Sequence, residues 1–225
     1  MAKRGDNSAF LYHWIKSNIN SNASLEEKYE DAFETLLLIL SDYALKSGKS
    51  LGHKFGHGCI CFTGTPVWFI QEDKSKYQPF GFEFYKNDIY KIGGEHVIYC
   101  SEESAKRLSQ EDVWKWMRHE PLVRTVQTPY GTDFSWEREV RVNASKINFL
   151  GPSEIVEASS PSEVRFAFTH IYVPSILWKQ RLLSELRGLL DKKLKEDERD
   201  PGYCYYEEFY NSMMLAYKYA IEVVP

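Results

Sequence analysis

The chain has 225 residues, 43% hydrophobic and 15% aromatic, enough apolar content for a full core. Its 28 basic and 32 acidic residues leave a net charge of −4, which excludes a protein that coats nucleic acid non-specifically, because such binding rests on many phosphate contacts. No run of about 18 apolar residues marks a membrane span, and the polar start Met1 to Ser8 lacks the apolar middle of a secretion signal. Cys59, Cys61, Cys100 and Cys204 lie in strand-like or aromatic runs, not in a dense disulfide framework, so the expectation is a cytoplasmic protein with no membrane partner.

Phe10-Leu11-Tyr12-His13-Trp14 reads as a short aromatic strand. Ser24 and Glu27 form a capping box, since each side chain can satisfy the other's backbone N–H. The helix that follows carries Leu25, Tyr29, Phe33, Leu36, Leu40 and Tyr43 at three- and four-residue spacing and is expected to stop at Ser47-Gly48. A glycine-rich basic loop around His53, Lys54 and His57 enters the strand Cys59 to Thr63, which Gly64-Thr65-Pro66 ends. Phe80 to Tyr85 and His96 to Cys100 read as further strands, and residues 102–119 as one helix or two short ones. Lys146 to Leu150 is a short strand, and Arg165 to Pro174 is long enough for a central one. Ser175 to Lys195 is an amphipathic helix, and residues 201–225 form a tyrosine-rich helical extension that reads as core or a partner surface. With no repeat and no linker composition, the order implies one α+β domain over 1–225 with antiparallel pairs.

The run Trp136-Glu137-Arg138-Glu139-Val140-Arg141-Val142 carries the chemistry. In a continuous strand, Glu137, Glu139 and Arg141 share one face while Val140 and Val142 face the core. Like charges about 7 Å apart repel in a half-buried site, so a cation is expected between them or one pKa is raised. A solvated face with one Glu–Arg rung is the plain alternative.

Other chemistries fit less well. His57, Cys59 and Cys61 would share a strand face with His53 near, but Cys-x-Cys in one extended strand splays its thiols and no second cluster completes a zinc shell, so no metal is expected. The cysteines read as small buried hydrophobes, and neither a P-loop nor a GxGxxG fingerprint is present.

A histidine in Tyr12-His13-Trp14, a hydroxyl in Cys61-Phe62-Thr63-Gly64-Thr65-Pro66 and a glutamate at Glu137 or Glu139 follow one another in chain order. Together with Pro79-Phe80-Gly81-Phe82-Glu83-Phe84 and His170-Ile171-Tyr172-Val173-Pro174-Ser175, this order resembles the ADP-ribosyltransferase superfamily, and most closely its DarT-like toxin and abortive-infection (phage-defence) branch. The resemblance covers about residues 10 to 190, through short motifs whose order carries the specificity.

That resemblance implies a split antiparallel β-sheet core with flanking helices and an NAD cleft, NAD being the substrate. Glu139 would stabilise the cationic ribose left when nicotinamide departs, or take the acceptor's proton, and Glu137 would orient the acceptor. His13 with Tyr12 would hold the dinucleotide, Thr63 would brace the glutamate or the nicotinamide pocket, and Tyr77 or Phe80 would cover the nicotinamide ring. The implied activity is a mono-ADP-ribosyltransferase toxin acting on nucleic acid, with an antitoxin or chaperone protein as partner. DarT-like enzymes carry an arginine between the first two motifs, where this chain offers His53, Lys54 and His57, so RNA, DNA and protein acceptors all stay open. A basic rim from Lys49, Lys54, Lys74, Lys76 and Arg124 would suit a nucleic acid. The alternative from another class is a non-catalytic interaction or assembly subunit using the tyrosine-rich terminal helix.

Overall fold

A computed structural model describes residues 8–20, 22–47, 58–65, 67–68, 77–126, 128–129, 131–149, 167–197 and 203–224. His53, His57, Lys49, Lys54, Lys74 and Lys76 lie outside the described residues. The fold is mixed α+β, with five α-helices and several small sheets among the described residues. None of those helices is long and apolar enough to cross a membrane. The chain forms two compact units, one from Met1–His13, Ala44–Pro66 and Tyr85–Asn148, the other from Trp14–Tyr43, Val67–Phe84 and Phe149–Pro225. Each unit is stitched from three separate stretches, so no single linker marks the division in the sequence.

In the first unit, β1 (Phe10–Trp14, through His13) precedes β2 (Ala44–Lys46) and β3 (Ile60–Phe62). Helix α2 (Lys86–Lys91) leads to β5 (Gly94–His96) and β6 (Ile98–Cys100). The short α3 (Glu102–Ala105) then gives way to a 3₁₀ turn at Val113–Lys115 and to β7 (Trp116–Arg118). Residues 102–119 are therefore mostly not helical; tryptophans 114 and 116 are buried by a turn and a strand that runs parallel to β6. β8 (Val140–Val142) is the centre of an antiparallel sheet ordered β3-β8-β5, and β9 (Lys146–Asn148) pairs with β2. All three residues of β8 are buried, with Ile60, Phe62, Val140 and Val142 forming the apolar side.

In the second unit, α1 (Leu25–Asp42) starts at the Ser24/Glu27 capping box and stops earlier than its periodicity suggests. Tyr43 turns left-handed at φ 45°, and its N–H closes the last turn onto Ile39. The next residues are drawn into β2, where Leu45 is fully buried, so tertiary pairing overrides the helical pattern. β4 (Gly81–Tyr85, through Phe84) pairs antiparallel with β10 (Phe168–Val173), the central strand, and β11 (Ile221–Val223) adds to β10 in parallel. Phe82, Phe84, Phe149 and Phe168 pack on one side of this sheet with ring centroids 5.6–6.3 Å apart. Helices α4 (Ile176–Asp197) and α5 (Tyr203–Ala220) complete the unit. The tyrosine-rich terminal segment ends in a strand, and its Met213, Tyr217 and Ile221 are buried.

Candidate functional site

Five of the residues singled out in the sequence, Tyr12, His13, Thr63, Glu137 and Glu139, belong to the first unit, and hydrogen bonds that involve the backbone gather them. Tyr12 and Thr63 form an antiparallel bridge, with N–H···O=C distances of 2.9 and 2.8 Å. His13 Nδ1–H donates to the Cys61 carbonyl at 2.9 Å, and its ring meets Phe62 edge-on. That bond fixes the tautomer and leaves Nε2 as the acceptor. Burial holds the His13 pKa below its ordinary value against the opposing pull of the Cys61 carbonyl, which keeps the ring neutral.

Thr63 ties this strand to the glutamate segment. Its hydroxyl donates to the Glu137 carbonyl, which Gly64 N–H also reaches at 3.1 Å, while Thr65 Oγ1 donates to the Trp136 carbonyl at 3.0 Å. The short Thr63-Gly64-Thr65 run thus satisfies two consecutive carbonyls of a chain segment that leaves the sheet.

The continuous strand expected through Glu137 does not form. Ser135–Glu137 is a 3₁₀ turn and Arg138 takes the left-handed conformation at φ 46°, ψ 47°, so extended alternation begins only at Val140. The local cause is Asp133, whose carboxylate accepts from Ser135 N–H at 2.9 Å and from its hydroxyl at 2.6 Å, a side-chain turn that competes with strand pairing. Asp133-Phe134-Ser135 was the available sequence signal.

Glu139 and Arg141 do share a side, and both are buried. Arg141 Nε reaches Glu139 Oε1 at 2.8 Å and Nη2 reaches Oε2 at 3.3 Å. Nη1 donates to the carbonyls of Trp114 and Trp116 at 2.8 and 2.9 Å. Burial pulls the Arg141 pKa down, yet the Glu139 charge outweighs it and holds the guanidinium above its ordinary value. Glu139 N–H donates to the Tyr99 hydroxyl at 2.9 Å, and burial raises that phenol's pKa. Cys61, paired in register with Arg141, has its thiol pushed well up by the neighbouring Cys59, by burial and by the Glu139 charge. Cys59, Cys61 and Cys100 are free thiols. Glu137 is also buried, at 3% exposure.

Tyr77 and Phe80 belong to the second unit. Phe80 is fully buried in an aromatic cluster with Tyr29, Phe33 and Trp178, at 5.2–6.0 Å between centroids, and Tyr77 is half-buried. The metal arrangement considered from His53 and His57 lies outside the described residues, and among the described residues no group of three or more His, Cys, Asp or Glu side chains is placed to hold a metal ion.

A cluster that the motif reading did not assign lies in the second unit. Glu83 on β4, 4% exposed, accepts from Thr169 Oγ1 at 2.6 Å, His170 Nδ1 at 2.7 Å and Tyr172 Oη at 3.0 Å. The signal was an acid between two phenylalanines in a strand, opposite a strand reading Thr-His-Ile-Tyr. No family model matches the chain, and neither a curated protein nor a solved structure matches it.

Proposed function

We propose that the first unit carries an NAD-dependent mono-ADP-ribosyltransferase site acting on a macromolecule, nucleic acid being the favoured acceptor, in a toxin–antitoxin or phage-defence setting. The observation that supports this reading is the gathering of His13, Thr63 and the Glu137–Glu139 segment, distant in sequence, through the Tyr12–Thr63 bridge, the His13–Cys61 bond and the Thr63–Glu137 bond. In the reaction, the glycosidic bond between the ribose and nicotinamide breaks and nicotinamide leaves. An acceptor nitrogen or oxygen bonds to the ribose carbon, and its proton passes to a carboxylate. A fixed carboxylate stabilises the cationic ribose between those events. Arg141 orients Glu139 but engages both of its oxygens, so substrate has to displace the longer contact, Nη2–Oε2 at 3.3 Å.

That same double engagement favours a second reading, a non-catalytic interaction subunit in which the ion pair is a structural staple. Labelled NAD incubated with the protein and, separately, RNA, DNA or lysate separates the two. Transfer of label with release of nicotinamide, lost in Glu139→Gln preparations whose near-UV circular dichroism matches the parent, is the expected result. Neither label nor nicotinamide release under any acceptor would leave the staple. Loss in Glu137→Gln with full activity in Glu139→Gln would exchange the two glutamates' roles.

A further inference from the structure

Among the described residues, two other than glycine hold a left-handed backbone, Tyr43 at φ 45° and Arg138 at φ 46°. That conformation crowds the Cβ of an L-residue, and glycine adopts it freely. Tyr43 has a reason in the fold: it closes the last turn of α1, and its hydroxyl meets Tyr217 Oη at 2.8 Å. Arg138 is exposed, between two buried glutamates, Glu137 at 3% and Glu139 at 5% exposure. Its backbone is fixed on both sides. The Arg138 N–H closes the 3₁₀ turn on the Ser135 carbonyl at 3.1 Å, and Thr63, Gly64 and Thr65 hold the Trp136 and Glu137 carbonyls just before it. Glu139 N–H, just after it, donates to Tyr99 Oη. Gly64 approaches so closely that a side-chain carbon there would come within 3.3 Å of Arg138 Cβ. Strain that the surroundings over-determine, at an exposed residue flanked by buried acids, marks a position kept for binding.

The run's two arginines differ in what they can reach. Arg141 is 2% exposed, and its Nε, Nη1 and Nη2 donate to Glu139 and to the Trp114 and Trp116 carbonyls. Arg138 is the arginine of this run that solvent reaches. We propose that Arg138 binds the pyrophosphate of the dinucleotide and so sets its ribose against Glu139, an assignment that rests on the NAD reading of the first unit. The pyrophosphate is joined to the 5′ carbon of the ribose whose 1′ carbon reacts, so a carboxylate at that carbon has phosphate oxygens nearby. Adjacent residues have Cα atoms about 3.8 Å apart, which puts Arg138 within a side chain's reach of them. A guanidinium fork takes two phosphate oxygens at once and offsets the repulsion an anionic ligand meets beside carboxylates. The left-handed turn is part of the device. In an extended strand Arg138 would be held on the face opposite both glutamates, and the turn removes that constraint.

The test is calorimetric titration of the full chain with ADP-ribose and with nicotinamide riboside, which lacks the pyrophosphate, beside urea unfolding. Arg138→Gly withdraws the guanidinium and suits the left-handed backbone. It should bind ADP-ribose at least about tenfold more weakly than the parent, the loss of one charge-assisted contact, and unfold at a urea concentration no lower than the parent's. Its affinity for nicotinamide riboside should stay at the parent's value. Arg138→Lys keeps the charge without the fork and should fall between the two. Unchanged ADP-ribose binding in Arg138→Gly would overturn the assignment. Equal losses for both ligands, or a lower urea midpoint, would overturn it too and make Arg138 a residue of the fold. A parent that binds neither ADP-ribose nor NAD would remove the NAD reading itself, whereas a parent that binds both, with Arg138→Gly its equal, would remove Arg138 alone.

Discussion

Glu139 and Arg141, two residues apart on one short strand, grip each other through Nε–Oε1 at 2.8 Å and Nη2–Oε2 at 3.3 Å in a buried site. The guanidinium also donates to the Trp114 and Trp116 carbonyls, so the pair ties that backbone to β8. Taking away one partner strands the other charge in low dielectric and orphans hydrogen-bonding groups. Glu139→Gln or Arg141→Met alone should cost about 3–5 kcal/mol. The double variant should cost clearly less than the sum of the singles, because no lone charge stays behind. Urea unfolding of the four proteins checks this, and additive losses would show that the two side chains act independently.

His13 gives the fold a pH dependence with a definite sign. Its folded pKa lies below the ordinary value of 6.5, so the unfolded chain binds the proton more readily than the native one does. Native stability is therefore fully present above about pH 6.5 and falls as pH drops from there toward the folded pKa. Urea midpoints measured between pH 7.5 and 5 should decline more steeply in the parent than in His13→Asn. Parallel curves would mean that the ring takes its proton as easily in the fold as out of it.

Much of the architecture could be read from the chain, and the gaps have physical causes. The Ser24–Glu27 box fixed where α1 starts, since capping is a local reciprocal bond. Its end was misplaced because the burial of Leu45 on β2 depends on β9, whose Ile147 pairs with it from far along the chain. The pattern Val140-Arg141-Val142 marked a strand correctly, but alternation could not reveal that Asp133 and Ser135 turn the chain before it. Residues 102–119 looked helical through their spacing, whereas Trp116 is held by parallel pairing with Ile98, a long-range contact with no periodic trace. At the candidate site, Glu139 with Arg141 was visible as a rung of the strand. The partners around it, Tyr99 on β6 and the carbonyls of Trp114 in a 3₁₀ turn and Trp116 on β7, come from distant segments that no spacing rule connects to it.

Thr63 ties two parts of the chain through a hydroxyl, a claim that separates polarity from shape. Thr63→Val keeps the volume but withdraws the donor from the buried Glu137 carbonyl and the acceptor from Thr65 N–H. A cost of about 1–3 kcal/mol is expected, the penalty for buried polar groups left unmet. Thr63→Ser retains the hydroxyl and loses one methyl, which should cost about 1 kcal/mol. Denaturant midpoints rank the two, and a valine variant as stable as the serine one would remove the hydroxyl from the argument.

The chain's final strand tests whether the tyrosine-rich terminal segment is integral to the second unit. Ile221 pairs with Ile171 and is fully buried, while Val223 pairs with Val173 and is 37% exposed. Lys179 Nζ donates to the Ile221 carbonyl, and Tyr217 Oη meets Tyr43 Oη at 2.8 Å, so helix and strand are fastened by polar contacts as well as by packing. Ile221→Ala removes three methyl-sized groups from a closed site and should cost about 2–5 kcal/mol. Val223→Thr, at the exposed end of the same strand, should stay within about 0.5 kcal/mol. A dangling extension would make both substitutions neutral in urea unfolding. A loss confined to Ile221 follows only if β11 is a working strand of that sheet, because the two positions differ in burial and not in their pairing with β10.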